Sequence, residues 1–394
     1  MLTTQMKAKP KCIFYCQYIR GIGHLVRTVE LIRYLLNTFE VCLITGGESI
    51  SGFQFPESIK IVYLPAIKGD EQNNELKLKT VDPTLNIEDC KQIRTQIILD
   101  TVNNFKPDLL VIEHFPFGSM FSFELIPLLE FIRAKHQATK IICSLRDVVL
   151  IKQGDINDLI ICNTLNQYFD LLLIHGDPNF IKLDESFSRF DDIKCPVKYT
   201  GYVTRQINKH DQQLNSIKNR GYTQILVSIG GGRVGYNLLE SLIYSSPALS
   251  LKIEHKILIF TGPFMPEEQF IQLQHLSSRL SHIEIYRYTP NLIHYMYESD
   301  ISISMAGYNT IADILVTRIP SLLFIFDFQY QDDEQKIRAE KLEQFGIVDI
   351  IRSDELQSDL IANKIYNRLQ KKVSKLQVDL DGAKNTALFL IQLI

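Results

Sequence analysis

Gln224-Ile225-Leu226-Val227-Ser228-Ile229 is an apolar run of strand length, and it empties into Gly230-Gly231-Gly232-Arg233-Val234-Gly235 before residues 237–245 take up helical spacing. Strand, glycine turn and helix in that order form one unit of a parallel sheet covered by helices. The same order opens the chain. An apolar run at 12–16 leads into Gly21-Ile22-Gly23-His24, after which Leu25, Val29, Ile32 and Leu36 recur on one helical face. Between and beyond these two openings, further strands are predicted at 41–45, 59–64, 109–113, 140–144 and 171–175, then at 255–260, 283–286, 301–305 and 321–326. Helices are predicted over 124–134, 266–276, 310–316 and 333–345. Residues 70–79 read as a charged loop. The expected fold is therefore α/β, with two tandem Rossmann-like domains over 1–203 and 204–378 and an interdomain cleft. Their seam is expected at 194–210, within which 198–203 reads as a strand, and a polar run extends over 205–220. A helix over 379–394 is expected to pack back on the first domain.

The 394 residues carry 42 Lys and Arg against 45 Asp and Glu, a net charge of −3, so the chain lacks the cationic excess of a general nucleic-acid binder. Its 45% hydrophobic and 22% charged residues suit a folded globular protein. Seven scattered cysteines without a CxxC pair suit buried reduced thiols rather than a disulfide framework or a zinc cage. They point to a cytoplasmic setting. No stretch has the length and apolarity of a membrane span, and the basic start has no signal-peptide pattern; peripheral contact with a membrane remains open.

Chemistry is expected where strands hand over to helices, because the loops there present unpaired backbone N–H groups. His24, at the start of a helix beside Gly21 and Gly23, suits a general base, with a capping or loop histidine as the alternative. Val26 stands where a dinucleotide fingerprint needs its third glycine, which argues against NAD. Gly230, Gly231 and Gly232 with Arg233 suit a diphosphate held by backbone donors without a metal, although a strand-to-helix turn for close packing also needs glycine. Met305-Ala306-Gly307-Tyr308-Asn309-Thr310 and then Asp313 form a third turn, whose acid suits either a ribose diol or the helix dipole. Glu113-His114-Phe115-Pro116-Phe117-Gly118 ends a strand with two ionisable groups. The apolar stretch 115–132 reads as a core helix or as a hydrophobic acceptor surface.

In this order the motifs resemble the two-domain GT-B glycosyltransferases, in particular the peptidoglycan N-acetylglucosaminyltransferases, and are most similar to bacterial predicted glycosyltransferases. The resemblance extends over nearly the whole chain. Gly21–His24 looks like the turn that opens the family's acceptor domain, with Gly21, Gly23 and Arg27 on the acceptor-side loop. Thr200-Gly201-Tyr202-Val203-Thr204-Arg205 looks like its TGxxxR element, and Gly230–Gly235 like its diphosphate loop. Ala306-Gly307-Tyr308-Asn309-Thr310-Ile311-Ala312-Asp313 is similar to its AGxxTxxE segment, with Asp for Glu. Glu334-Gln335 opens its donor segment, with Arg338 where Asn is usual.

The resemblance implies a nucleoside diphosphate sugar, UDP-sugar favoured, as co-substrate, bound through Arg205, Gly230, Gly231, Gly232, Arg233, Ala306, Gly307, Asn309, Thr310, Asp313 and Gln335. It implies inverting transfer of a hexosyl or N-acetylhexosaminyl group to a small-molecule or lipid-linked acceptor hydroxyl, with no cofactor and no essential metal. His24 is the expected base, with Glu113 and His114 in reserve. Gly21-Ile22-Gly23-His24-Leu25-Val26-Arg27 also resembles the GxGHxxR turn of the nucleotide-sugar hydrolases of nonulosonic acid synthesis. Hydrolysis, or non-catalytic nucleotide-sugar binding, therefore stands as the alternative.

Overall fold

The computed structural model describes residues 8–72, 75–149, 155–205, 220–326 and 333–394. In the first half β1 (Lys11–Tyr15), α1 (Gly23–Leu35), β2 (Glu40–Thr45), β3 (Lys60–Tyr63), β4 (Ile67–Gln72), β5 (Glu75–Thr80), α2 (Ile87–Phe105), β6 (Leu109–Glu113), α3 (Ser122–Lys135), β7 (Lys140–Arg146), α4 (Asp155–Tyr168), β8 (Leu171–His175) and β9 (Val197–Tyr199) follow in order. The second half contains β10 (Thr223–Ser228), α5 (Tyr236–Ser250), β11 (His255–Phe260), α6 (Glu267–Ser277), β12 (Ile283–Tyr286), α7 (Leu292–Glu298), β13 (Ile301–Met305), α8 (Tyr308–Thr317), β14 (Ser321–Phe324), α9 (Asp333–Gln344), β15 (Val348–Ile351), α10 (Ser358–Gln370) and α11 (Gly382–Ile391).

Two parallel sheets result, ordered β3-β2-β1-β6-β7-β8-β9 and β12-β11-β10-β13-β14-β15. Strand order reverses between β1 and β6 in the first and between β10 and β13 in the second. These switch points are where open α/β sheets leave a crevice at the strands' carboxyl ends. The first is flanked by the loop after β1, with Gly21–His24, and by the end of β6, with Glu113. The second is flanked by Gly230–Gly235 and by Ala306–Gly307 ahead of α8.

Alternation along each strand sorts the cores. Ile13, Tyr15, Leu110 and Ile112 face α2 and α3, whereas Cys12, Phe14, Leu109 and Val111 face α1. Phe115, Phe117, Leu125, Leu128, Leu129 and Ile132 sink into the first of these cores. Ala387 and Leu390 of α11 join Leu25, Val29 and Ile32 of α1, so the C-terminal helix covers the first sheet. The chain returns there through Tyr202 N–H to Asp379 O (2.8 Å), Gly382 N–H to Tyr202 O (3.1 Å) and Asn385 Nδ2 to Thr200 O (2.8 Å). Gly201 has φ +84°, and a Cβ there would lie 2.6 Å from Asp379 Cγ, so only glycine fits this junction. A further core joins the halves: Val148, Phe180, Ile181 and Tyr202 pack with Tyr308, Ile311 and Leu342.

Several elements depart from the sequence expectations. The charged stretch 70–79 lies in an antiparallel hairpin, Ile67↔Thr80 to Gln72↔Glu75, in which Leu76 and Leu78 alternate with Lys77 and Lys79. The 19-residue α2 was not anticipated. Its buried face runs Cys90, Arg94, Ile98, Val102 and Phe105, and a charged residue interrupts the apolar stripe. Helices α4 and α10 and strand β15 were also missed, and the strand expected over 198–203 ends at Tyr199, before the left-handed Gly201. Most of the polar run 205–220 lies outside the described residues, as do Asp332 and residues 1–7. All seven cysteines are free and buried. Among the described residues no helix is long and apolar enough to cross a membrane.

Candidate functional site

The two switch points face each other at backbone contact. A Cβ on Gly231 would stand 3.1 Å from Gly21 Cα, and Asn309 at the start of α8 donates from Nδ2 to Gly23 O at 3.0 Å. The loop after β11 also belongs here: Gly262, at φ +89°, packs so tightly on the glycine loop that a Cβ would lie 2.5 Å from Gly230 O. Sequence reasoning passed over Gly262, because Thr261-Gly262-Pro263 has the composition of an ordinary turn.

At this seam the first turn of α1 places His24 against Glu113 at the end of β6. His24 Nδ1 donates to Glu113 Oε1 at 2.8 Å, and Arg27, one turn on, pairs with the same oxygen. Ser144 Oγ on β7 donates to Glu113 Oε2 at 2.9 Å, His175 Nε2 at the end of β8 lies 2.9 Å from Ser144 Oγ, and Thr200 Oγ1 lies 2.9 Å from His175 Nδ1. Burial acts to raise the Glu113 pKa, but Arg27 and the His24 hydrogen bond hold it well below the usual carboxylate range. An ionised Glu113 is acceptor-only, so its partners must all donate, which fixes His24 as the Nδ1–H tautomer. The Nε2 lone pair then points away from Glu113. There it meets Arg146 Nη2 at 3.0 Å. Burial and then Arg146 push His24 below the usual histidine range, against the pull of Glu113. His175 is driven to about 3 by burial and then Arg27, and so is neutral.

His114 adjoins this pair with ring centroids 5.1 Å apart, in a left-handed backbone conformation (φ 68°). Burial and then His24 push it down to about 3.

Residues 226–389 match the glycosyltransferase family 28 C-terminal domain. Among solved structures, Phytolacca americana UGT2 complexed with UDP-2-fluoro-glucose and pterostilbene superimposes with a TM-score of 0.59 at 13% identity, over 98% of this chain and 94% of that one. Acinetobacter baumannii MurG gives 0.54 at 13% identity, over 97% and 100%. CalG4, the calicheamicin glycosyltransferase, gives 0.55 at 11%, over 98% and 94%. The chain shares the two-lobed GT-B fold of these structures, and part of its second half matches a glycosyltransferase family domain. No functionally curated protein matches it significantly.

In the second GT-B domain of this protein, Asp313 is 1% exposed, and neither of its carboxylate oxygens has a hydrogen-bond partner among the described residues; Arg205 Nη1 approaches to 3.6 Å. Burial raises Asp313 to about 6, against the pull of Arg205. Ala306 is buried, Gly307 caps α8, and Thr310 lies one turn along it, half-buried. Arg233 turns away from the glycine loop it follows. Its Nε donates to Arg20 O at 3.0 Å, it pairs with Glu48, and its guanidinium lies 4.7 Å from the Phe264 ring centroid, so it fastens the loop to the first domain.

The α9 segment has a similar interdomain role. Arg338 is 1% exposed and holds Asp147, at the end of β7, through Nε at 2.9 Å and Nη2 at 2.8 Å. Tyr202 Oη donates to the other Asp147 oxygen at 2.7 Å. Glu334 Oε2 accepts from Arg338 Nη2 at 3.1 Å and lies 3.3 Å from Arg146 Nη1. Gln335 is half-buried beside it. Above Arg27, 4.9 Å from its guanidinium, lies the Tyr308 ring of α8, and Tyr308 Oη accepts from Val203 N–H at 3.0 Å. Ser144, Arg146, Asp147 and His175 were not singled out from sequence. Their one signal is polar residues at the carboxyl ends of β7 and β8. Among the described residues no group of three or more His, Cys, Asp and Glu is arranged to hold a metal ion.

Proposed function

We propose that the protein transfers a hexosyl or N-acetylhexosaminyl group from a nucleoside diphosphate sugar to an acceptor hydroxyl, with inversion and without a metal. The observation that carries this is the His24–Glu113 pair, whose imidazole lone pair lies where two facing switch-point crevices meet. Glu113 orients the ring and stabilises the imidazolium. Nε2 takes the acceptor proton as the acceptor oxygen bonds to the anomeric carbon, and the bond to the diphosphate oxygen breaks with its electron pair leaving on the nucleotide. The backbone at Gly230–Gly232 and the start of α8 supply N–H donors suited to that developing charge. UDP is favoured as the nucleotide by the UDP-2-fluoro-glucose of the Phytolacca americana structure. Seven buried free thiols support a reducing, cytoplasmic setting, and the acceptor is a small-molecule or lipid-linked alcohol.

Calorimetry with UDP tests the donor domain. Asp313→Ala is expected to weaken UDP binding by about 1–3 kcal/mol through loss of a charge-assisted hydrogen bond to ribose. Unchanged affinity in a folded variant removes Asp313 from the site. Donor consumption is expected to persist in excess chelator. Activity lost there and restored by magnesium or manganese overturns the metal-free mechanism.

A further inference from the structure

Arg146 lies at the centre of the site, and no sequence motif assigns it a part. Its side chain is 19% exposed and its guanidinium is divided between the two domains: Nη1 faces Glu334 Oε2 at 3.3 Å, while Nη2 donates to His24 Nε2 at 3.0 Å. Nε is buried and has no hydrogen-bond partner among the described residues. The Nε and Nη2 hydrogens form one edge of the guanidinium fork, the edge that matches two oxygens of a carboxylate or phosphate. Of the two nitrogens on that edge, Nη2 serves one lone pair, that of His24 Nε2, and Nε serves none among the described residues, so the edge is only half used. The lone pair it covers is also the one the base needs, because a general base must reach the acceptor proton directly.

We propose that Arg146 masks His24 and that the acceptor carries a two-oxygen anion, carboxylate or phosphate, which takes the Nε/Nη2 edge and frees the base. This rests on His24 being the base. An anion on that edge satisfies the orphan Nε–H, withdraws the cation from the imidazole and raises its basicity as the hydroxyl arrives. The charged and titratable groups around His24 are Glu113 and His114 from the end of β6, Arg27 from α1, Arg146 from β7, His175 from β8, and Glu334 with Arg338 from α9. Arg27 is committed to Glu113, and Arg338 to Asp147 and Glu334. Arg146 is therefore the cation an incoming anion can recruit without breaking the dyad.

The test follows the His24 imidazole by NMR in histidine-labelled full-length protein, its signal assigned with His24→Gln, so that no acceptor is needed. Arg146→Met is expected to raise the His24 pKa by about one unit. Inorganic phosphate, and separately acetate, is expected to raise it in the wild type and to leave it unmoved in Arg146→Met; the more effective of the two identifies the anion. Arg146→Lys keeps the charge but not the fork, so its His24 is expected to stay low and its response to the anion to fall. Identical His24 titrations in wild type and a folded Arg146→Met, or equal anion shifts in both, overturn the proposal. If the His24 shifts appear but His24→Ala retains full transfer, masking stands and the base assignment alone fails.

Discussion

Replacing His24 by alanine is expected to lower turnover by about 10²- to 10⁴-fold, the usual contribution of a positioned general base. UDP affinity should stay nearly constant. The proposed donor contacts lie on the other domain, and the contact that spans the seam at this point, Asn309 Nδ2 to Gly23 O, is to backbone and survives the substitution. Circular dichroism and UDP calorimetry on the variant separate catalysis from folding. Wild-type turnover in the variant would transfer the role to Glu113 or to His114, whose ring centroid lies 5.1 Å from that of His24. Loss of fold would instead make His24 a structural residue. Its 22% side-chain exposure, and the Arg27 and Ser144 donors that Glu113 keeps, predict that the backbone tolerates the change.

Arg338→Met should have the largest effect on stability. Removing one partner of a fully buried ion pair costs about 3–5 kcal/mol, because the other is left charged and unpaired. Arg338 serves two acids: Asp147, itself fully buried, and Glu334, 8% exposed at the side chain. It also joins α9 of the second domain to the end of β7 in the first, so the loss falls on the association of the domains. Urea unfolding, followed by probes in each half, should show the halves separating earlier than in the wild type. A midpoint change equivalent to less than about 1 kcal/mol would mean that water or rearrangement compensates the stranded acids.

The helix α2 shows where sequence patterning reaches its limit. Its buried positions 90, 94, 98, 102 and 105 keep helical spacing, yet Arg94 at the second of them looks like a solvent residue. It is buried because Glu124, thirty residues on, accepts from its Nε at 2.9 Å and Nη2 at 2.7 Å. Arg338 posed the same difficulty at longer range, since family resemblance placed its segment toward a donor sugar while Asp147, 191 residues earlier, takes its guanidinium. A charge enters a core only where a partner meets it, and that partner need not lie nearby in sequence.

By itself the sequence determined the two sheets, their glycine turns, the strand-end position of Glu113 and the places of His24 and Asp313 in the helices that follow such turns. Those follow from apolar periodicity and from the backbone freedom of glycine, which are local properties. Only the tertiary structure decided that Glu113 meets His24 Nδ1, that Ser144 and His175 continue that hydrogen-bond chain, and that Arg146 meets His24 Nε2. Each of those contacts depends on which strand ends lie side by side. β1, β6, β7 and β8 are neighbours in the sheet although Tyr15 and His175 lie 160 positions apart in the chain, and hydrogen bonds near 3 Å report that adjacency, which no local window contains.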